Sequence, residues 1–65
     1  MQGVVRKLFT DKGFGFIRGE NNADYFFHRS QLQNAKFEDM AEGDAVSFEG
    51  ADGPKGPKAE DVYLD

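Results

Sequence analysis

Apolar and polar positions alternate most cleanly in two neighbouring stretches of the chain. Along Lys12-Gly13-Phe14-Gly15-Phe16-Ile17-Arg18, an extended backbone places Lys12, Phe14, Phe16 and Arg18 on one side. Gly13, Gly15, Ile17 and Gly19 fall on the other. Along Asp24-Tyr25-Phe26-Phe27-His28, Asp24, Phe26 and His28 share a side, and Tyr25 and Phe27 take the opposite one. Lysine, arginine and aspartate are almost never fully buried unless paired, so the charged sides face water. Phe14, Phe16 and Phe26 are therefore predicted to ride on a wet sheet face. The competing reading puts these phenylalanines in the core, where the residue is usually found. It would carry Lys12 and Arg18 inward with them and leave a glycine-rich face outside. Glycines on the inner face instead permit the sharp bending that a small closed barrel requires.

The rest of the chain supplies three more strands. Gly3–Phe9 reads as a first strand in which Val4, Val5, Leu8 and Phe9 are apolar. Its alternation is imperfect, so the pattern does not assign its faces. Thr10–Gly13 is a tight turn, strand two runs over Phe14–Gly19, Glu20–Ala23 is a polar turn, and strand three covers Asp24–His28. Two short connections make this a three-stranded antiparallel meander. Residues 30–43 form a long connection, with Ser30 placed to cap a short helical turn and with Leu32 and Met40 expected to plug one end of the core. Phe37, amid Lys36, Glu38 and Asp39, is compatible with a core plug or an exposed ring. Strand four is expected over Ala45–Glu49 and strand five over Lys58–Leu64, with the glycine-proline stretch 50–57 as a mobile loop. A meander, a long crossover and two further strands fit an all-β, five-stranded antiparallel Greek-key barrel of the OB type.

Length limits this chain of 65 residues to a single domain with a small core. With no cysteine, disulfides and thiolate metal sites are excluded. Neither a membrane-length apolar run nor a signal-peptide pattern is present, so a soluble cytoplasmic protein is expected.

The net charge of −4 looks unfavourable for binding a polyanion, but its distribution points the other way. Residues 1–36 carry six basic and three acidic groups, or +3, whereas residues 37–65 carry two basic and nine acidic groups, or −7. The positive part coincides with the aromatic strands, which suggests one face that attracts a polyanion. An exposed apolar patch commonly marks a binding site, and flat rings flanked by cations suit stacked bases and their phosphates.

These motifs resemble those of a known family. Lys12-Gly13-Phe14-Gly15-Phe16-Ile17 is similar to the first ribonucleoprotein motif of the cold-shock domain, and Tyr25-Phe26-Phe27-His28 resembles the second. The likeness runs without gaps from Gly3 through Glu42-Gly43, Val46-Ser47-Phe48 and Gly56-Pro57 to Val62. It implies a small barrel that binds single-stranded RNA and DNA with little sequence preference and without catalysis. It also implies Phe14, Phe16 and Phe26 as a central stacking platform, with His28 at its periphery. Arg6, Lys12 and Lys55 would lie near phosphates, Asp24 would hydrogen-bond a base edge, and Phe37 would stack on a terminal base.

Three departures from the family pattern change this track. Lys7 replaces the usual first-strand tryptophan and Leu8 the following phenylalanine; Phe9 stands where a small polar residue is usual; and Arg29 replaces the aromatic after the histidine. Stacking surface is lost and cations are gained, although the planar guanidinium of Arg29 is itself able to stack. Lys7, Phe9 and Arg29 complete the candidate binding residues.

Other chemistries find little support. His28 is the single histidine, and Asp24 alone does not make it a catalytic or metal site, so no enzyme, metal or cofactor is expected. Gly13-x-Gly15 is not followed by a helix and is not a dinucleotide loop. No recognition helix suits a duplex groove. Single strands of RNA and DNA are both expected partners, since nothing identifies a 2′-OH reader. A small-molecule substrate is not expected, and a monomer is. The alternative function is a peptide-binding module on a similar barrel, against which the cations around the rings favour phosphate.

Overall fold

The first strand takes up its odd apolar pattern by means of one extra residue. In the computed structural model, which describes residues 1–65, β1 spans Gln2–Phe9 and pairs antiparallel with β2, Phe14–Gly19. Val5 lies opposite Ile17 and Lys7 opposite Phe16, so Arg6 bulges out between them. The bulge resets the parity. Val5 points inward before it, and Leu8 packs against the core after it, which sends Lys7 and Phe9 outward.

β2 returns through the Thr10–Gly13 turn, where Lys12 and Gly13 donate backbone N–H groups to the Phe9 carbonyl at 3.0 and 2.8 Å. β3, Asp24–His28, pairs with β2 so that Phe14 meets His28, Phe16 meets Phe26 and Arg18 meets Asp24. β4 runs over Ala45–Gly53 and β5 over Gly56–Leu64, both longer than expected. The glycine-proline stretch is the end of a regular hairpin in which Gly53 faces Gly56, and the expected mobile loop reduces to the turn at Pro54 and Lys55. The strands close into a barrel in the order β1-β2-β3-β5-β4. Four of the pairings are antiparallel, and the closing contact between β3 and β5 is parallel.

The closure is reinforced from the long connection. Asn34 uses its side-chain amide as a strand would, donating to the Leu64 carbonyl at 2.9 Å and accepting from the Leu64 N–H at 2.8 Å. Gln31 Oε1 accepts from the N–H of Asp61, whose φ of 49° marks a bulge in β5. Two 3₁₀ turns, Arg29–Gln31 and Phe37–Asp39, shape the connection. The first is capped by the His28 ring, whose Nδ1 accepts from the Ser30 N–H at 3.1 Å; the cap expected of Ser30 belongs to His28.

The interior holds Val5, Ile17, Tyr25, Phe27, Phe37, Met40, Val46, Phe48, Ala59 and Val62, with Leu32 packed against it. Met40 thus belongs to the core and Leu32 packs against it. Gly15 faces this interior, and a Cβ there would stand 2.5 Å from the Lys7 carbonyl oxygen and 2.9 Å from the Phe27 ring. Only glycine lets β1 and β2 approach this closely over a core phenylalanine.

Candidate nucleic-acid interface

The outer faces of β1, β2 and β3 carry four phenylalanine rings. Phe14 and Phe16 come from β2 and Phe26 from β3, in the parity that alternation predicted, with Phe26 39% exposed. Phe14 and Phe26 lie 5.3 Å apart between ring centroids, and Phe16 meets Phe26 edge-on at 5.9 Å. Phe9 is the fourth ring. It stacks on Phe14 at 4.9 Å with 30° between planes and meets Phe16 edge-on at 6.3 Å. Offset and edge-to-face arrangements of this kind are favoured by the ring quadrupoles, so the patch is a preorganised apolar surface. The bulge at Arg6 brings Phe9 there, and the aromatic area lost at position 7 is in part returned two residues later.

Cations frame the rings. In the sheet register Lys7 lies opposite Phe16, which lies opposite Phe26, which pairs in turn with Lys58 on β5. A lysine therefore stands at each end of this row. Lys55 sits at the tip of the β4–β5 hairpin, and with Phe16, Phe26, Pro54, Pro57 and Lys58 it lines an open cleft of about 440 Å³. Arg6 and Lys12 are exposed, on the bulge and in the β1–β2 turn. Arg29 runs beside Gly13, where a Cβ would approach its Cδ to 3.2 Å, so it flanks the turn at the Phe14 end of the face.

Three candidate residues have structural roles that the sequence left open. Asp24 is held by Arg18, Nε to Oδ1 at 3.1 Å, so a base edge reaching Asp24 meets an ion pair and not a free carboxylate. The pair is exposed and contributes little to stability. His28 is fixed by its Nδ1 contacts with the Ser30 N–H and Oγ, the latter at 2.9 Å. The backbone N–H can only donate, so Nδ1 accepts and a neutral ring carries its hydrogen on Nε2. Phe37 is a core residue, 8% exposed, with its ring 6.0 Å from that of Phe27. Of the two placements compatible with the sequence, the structure takes the core plug, so only the edge of this ring is open to a terminal base.

Lys58 did not stand out in the sequence. Its place beside Phe26 depends on the parallel β3–β5 pairing, which joins segments about thirty residues apart and leaves no local trace in the sequence.

Known proteins resemble this chain over nearly its whole length. The profile of the "'Cold-shock' DNA-binding domain" family matches residues 1–64. The chain is 46% identical over 61 residues to a major cold shock protein of Micrococcus luteus, covering 92% of this chain and 91% of that protein. It is 42% identical over 62 residues to the cold shock-like protein CspC of Bacillus cereus, covering 95% of each. Identity to a major cold shock protein of Streptococcus pyogenes serotype M6 is 41% over 61 residues, covering 94% and 91%. Among solved structures, Drosophila Unr CSD456 superposes with a TM-score of 0.78 at 26% identity over 98% of this chain, which spans 26% of that one.

Proposed function

Because the chain belongs to the cold-shock domain family, whose profile it matches over residues 1–64, we propose that it binds single-stranded RNA and DNA on the face formed by Phe9, Phe14, Phe16 and Phe26. Nucleic-acid binding in the cold-shock manner follows from the family; single-strand selectivity and the particular residues are the proposal. The observation that carries it is the cluster of four outward phenylalanine rings on a protein of net charge −4. An acidic molecule draws little from bulk attraction to phosphate, so its affinity has to come from stacking. Base–aromatic stacking is worth about 1–3 kcal/mol per base, and every unpaired base offers a π-face. Bases inside a duplex offer none, which is the physical origin of the selectivity.

Phosphates of the bound strand then lie toward Arg6, Lys12 and Lys55, while Lys7 and Arg29 flank the rings. His28 donates from Nε2 at the edge of the platform. Binding of this kind shifts RNA away from self-pairing, the action of an RNA chaperone or a regulator of gene expression, and it needs neither catalysis nor a cofactor. We place the protein in the cytoplasm as a monomer. No helix is long and apolar enough to cross a membrane.

The test is a fluorescence or calorimetric titration with heptathymidine and with a hairpin duplex of equal charge. Tight binding of the single strand with at least tenfold weaker binding of the duplex supports the reading. Equal affinity for both overturns it.

A further inference from the structure

β3 and β5 meet in a single register pair, Phe26 with Lys58. Beside that pair a groove of about 190 Å³ opens between the strands, with Phe26, His28, Gln31, Lys58 and Glu60 on its walls. Its polar groups form a definite inventory. Lys58 Nζ lies 3.3 Å from Glu60 Oε2. His28 receives the Ser30 N–H at Nδ1, so its neutral ring offers only a donor from Nε2. Gln31 Oε1 is engaged by the Asp61 N–H, which leaves that side chain its NH₂ group. Glu60 is thus the one charged acceptor in a groove of donors, held next to an ammonium and beside the exposed ring of Phe26.

We infer that this groove reads the Watson–Crick edge of a base stacked on Phe26, and that guanine fits it best through Lys58 and Glu60. The inference rests on the single-strand reading above and adds a preference to it. Unpaired bases present their Watson–Crick edges for recognition of this kind. Guanine places an acceptor, O6, next to two adjacent donors, N1–H and the N2 amino group. The ammonium of Lys58 takes O6, and the two oxygens of Glu60 take the parallel pair of donors. Adenine and cytosine each offer one amino donor beside a ring acceptor and complete one bond fewer. Thymine and uracil offer a lone N3–H between two carbonyls and fit the carboxylate least.

The experiment compares heptathymidine with the same strand carrying one central deoxyguanosine or deoxyinosine, titrated against the wild-type protein and Glu60→Gln. A strand of low specificity slides until the guanine finds the groove, so one substitution suffices. A bidentate pair distinguishes bases by about 5- to 150-fold in a well-formed site. The exposed position sets the expectation at about tenfold tighter binding of the guanine strand than of heptathymidine. Inosine, which lacks the N2 amino group, loses most of that gain. Glu60→Gln brings the guanine-to-thymine ratio close to one while heptathymidine affinity is retained. Equal binding of the guanine and thymine strands by wild type overturns the inference and leaves the aromatic platform standing. A preference that survives in Glu60→Gln overturns the role of Glu60. No binding of any strand overturns both this inference and the reading on which it rests.

Discussion

The ring of Phe9 stacks on the ring of Phe14 at 4.9 Å, and it does so because Arg6 is an extra residue in β1. Without the bulge Phe9 would fall on the inner parity, and Leu8 would point to solvent. The same device that finishes the first strand therefore enlarges the outer aromatic patch from three rings to four. It also sets Lys7 opposite Phe16, a cation where a ring would otherwise extend the platform.

The first prediction concerns this added ring. Phe9→Ala removes one stacking surface from the edge of the patch, worth about 1–2 kcal/mol. Affinity for heptathymidine falls about tenfold. The ring is partly exposed and lies outside the core cluster, so the fold is retained. Titration and thermal unfolding of the same variant check both statements. Unchanged affinity in the folded variant removes Phe9 from the interface.

Position and charge also separate. Phe16→Ala, at the middle of the patch, weakens single-strand binding by at least tenfold, whereas Lys55→Ala weakens it only a few-fold. A ring contributes about 1–3 kcal/mol per stacked base, while an exposed charge pair contributes about 0–1 kcal/mol. A larger loss from Lys55→Ala than from Phe16→Ala would show that phosphate attraction dominates.

The salt dependence follows from the same balance. With about three phosphate contacts and about 0.7 per contact on a single strand, log K falls against log salt with a slope of about −2. Affinities measured across a range of salt concentrations give that slope directly. A slope steeper than about −4 would contradict an affinity built mainly on stacking.

Phe37 distinguishes structure from binding. Phe37→Ala opens a cavity beside Phe27 and costs about 3 kcal/mol of folding stability. Phe37→Leu keeps most of the volume, remains folded and binds single strands as wild type does. Denaturant unfolding and titration of the leucine variant check this. A folded Phe37→Leu protein with tenfold weaker binding would return the ring to the interface.

Much of this architecture was legible in the chain. The facing of Phe14, Phe16 and Phe26 could be read from β2 and β3, because each strand alternates without interruption and charges label the wet side. Gly15 and Gly19 on the inner side said that the sheet bends there, and both are buried. β1 resisted the same reading because one bulged residue reverses parity midway. The burial of Phe37 was undecidable locally, since polar neighbours surround it in sequence while the barrel end covers it in space. The glycine and proline residues of 50–57 suggested a loose loop. Yet Gly53 and Gly56 pair across a tight turn that holds Pro54, and Pro57 pairs with Asp52 inside the hairpin. Lys58 and Glu60 acquire their place beside Phe26 and His28 only through the parallel closure of β3 on β5, a contact that no local pattern encodes.

An NMR titration of isotopically labelled protein with heptathymidine measures where a bound strand lies. The largest chemical-shift changes are expected at Phe9, Phe14, Phe16, Phe26 and His28, with smaller ones at Lys55 and Lys58. The acidic outer surface around Asp44 and Asp65 stays still. Shifts concentrated on that acidic surface, with the four rings unmoved, would contradict binding on the aromatic face.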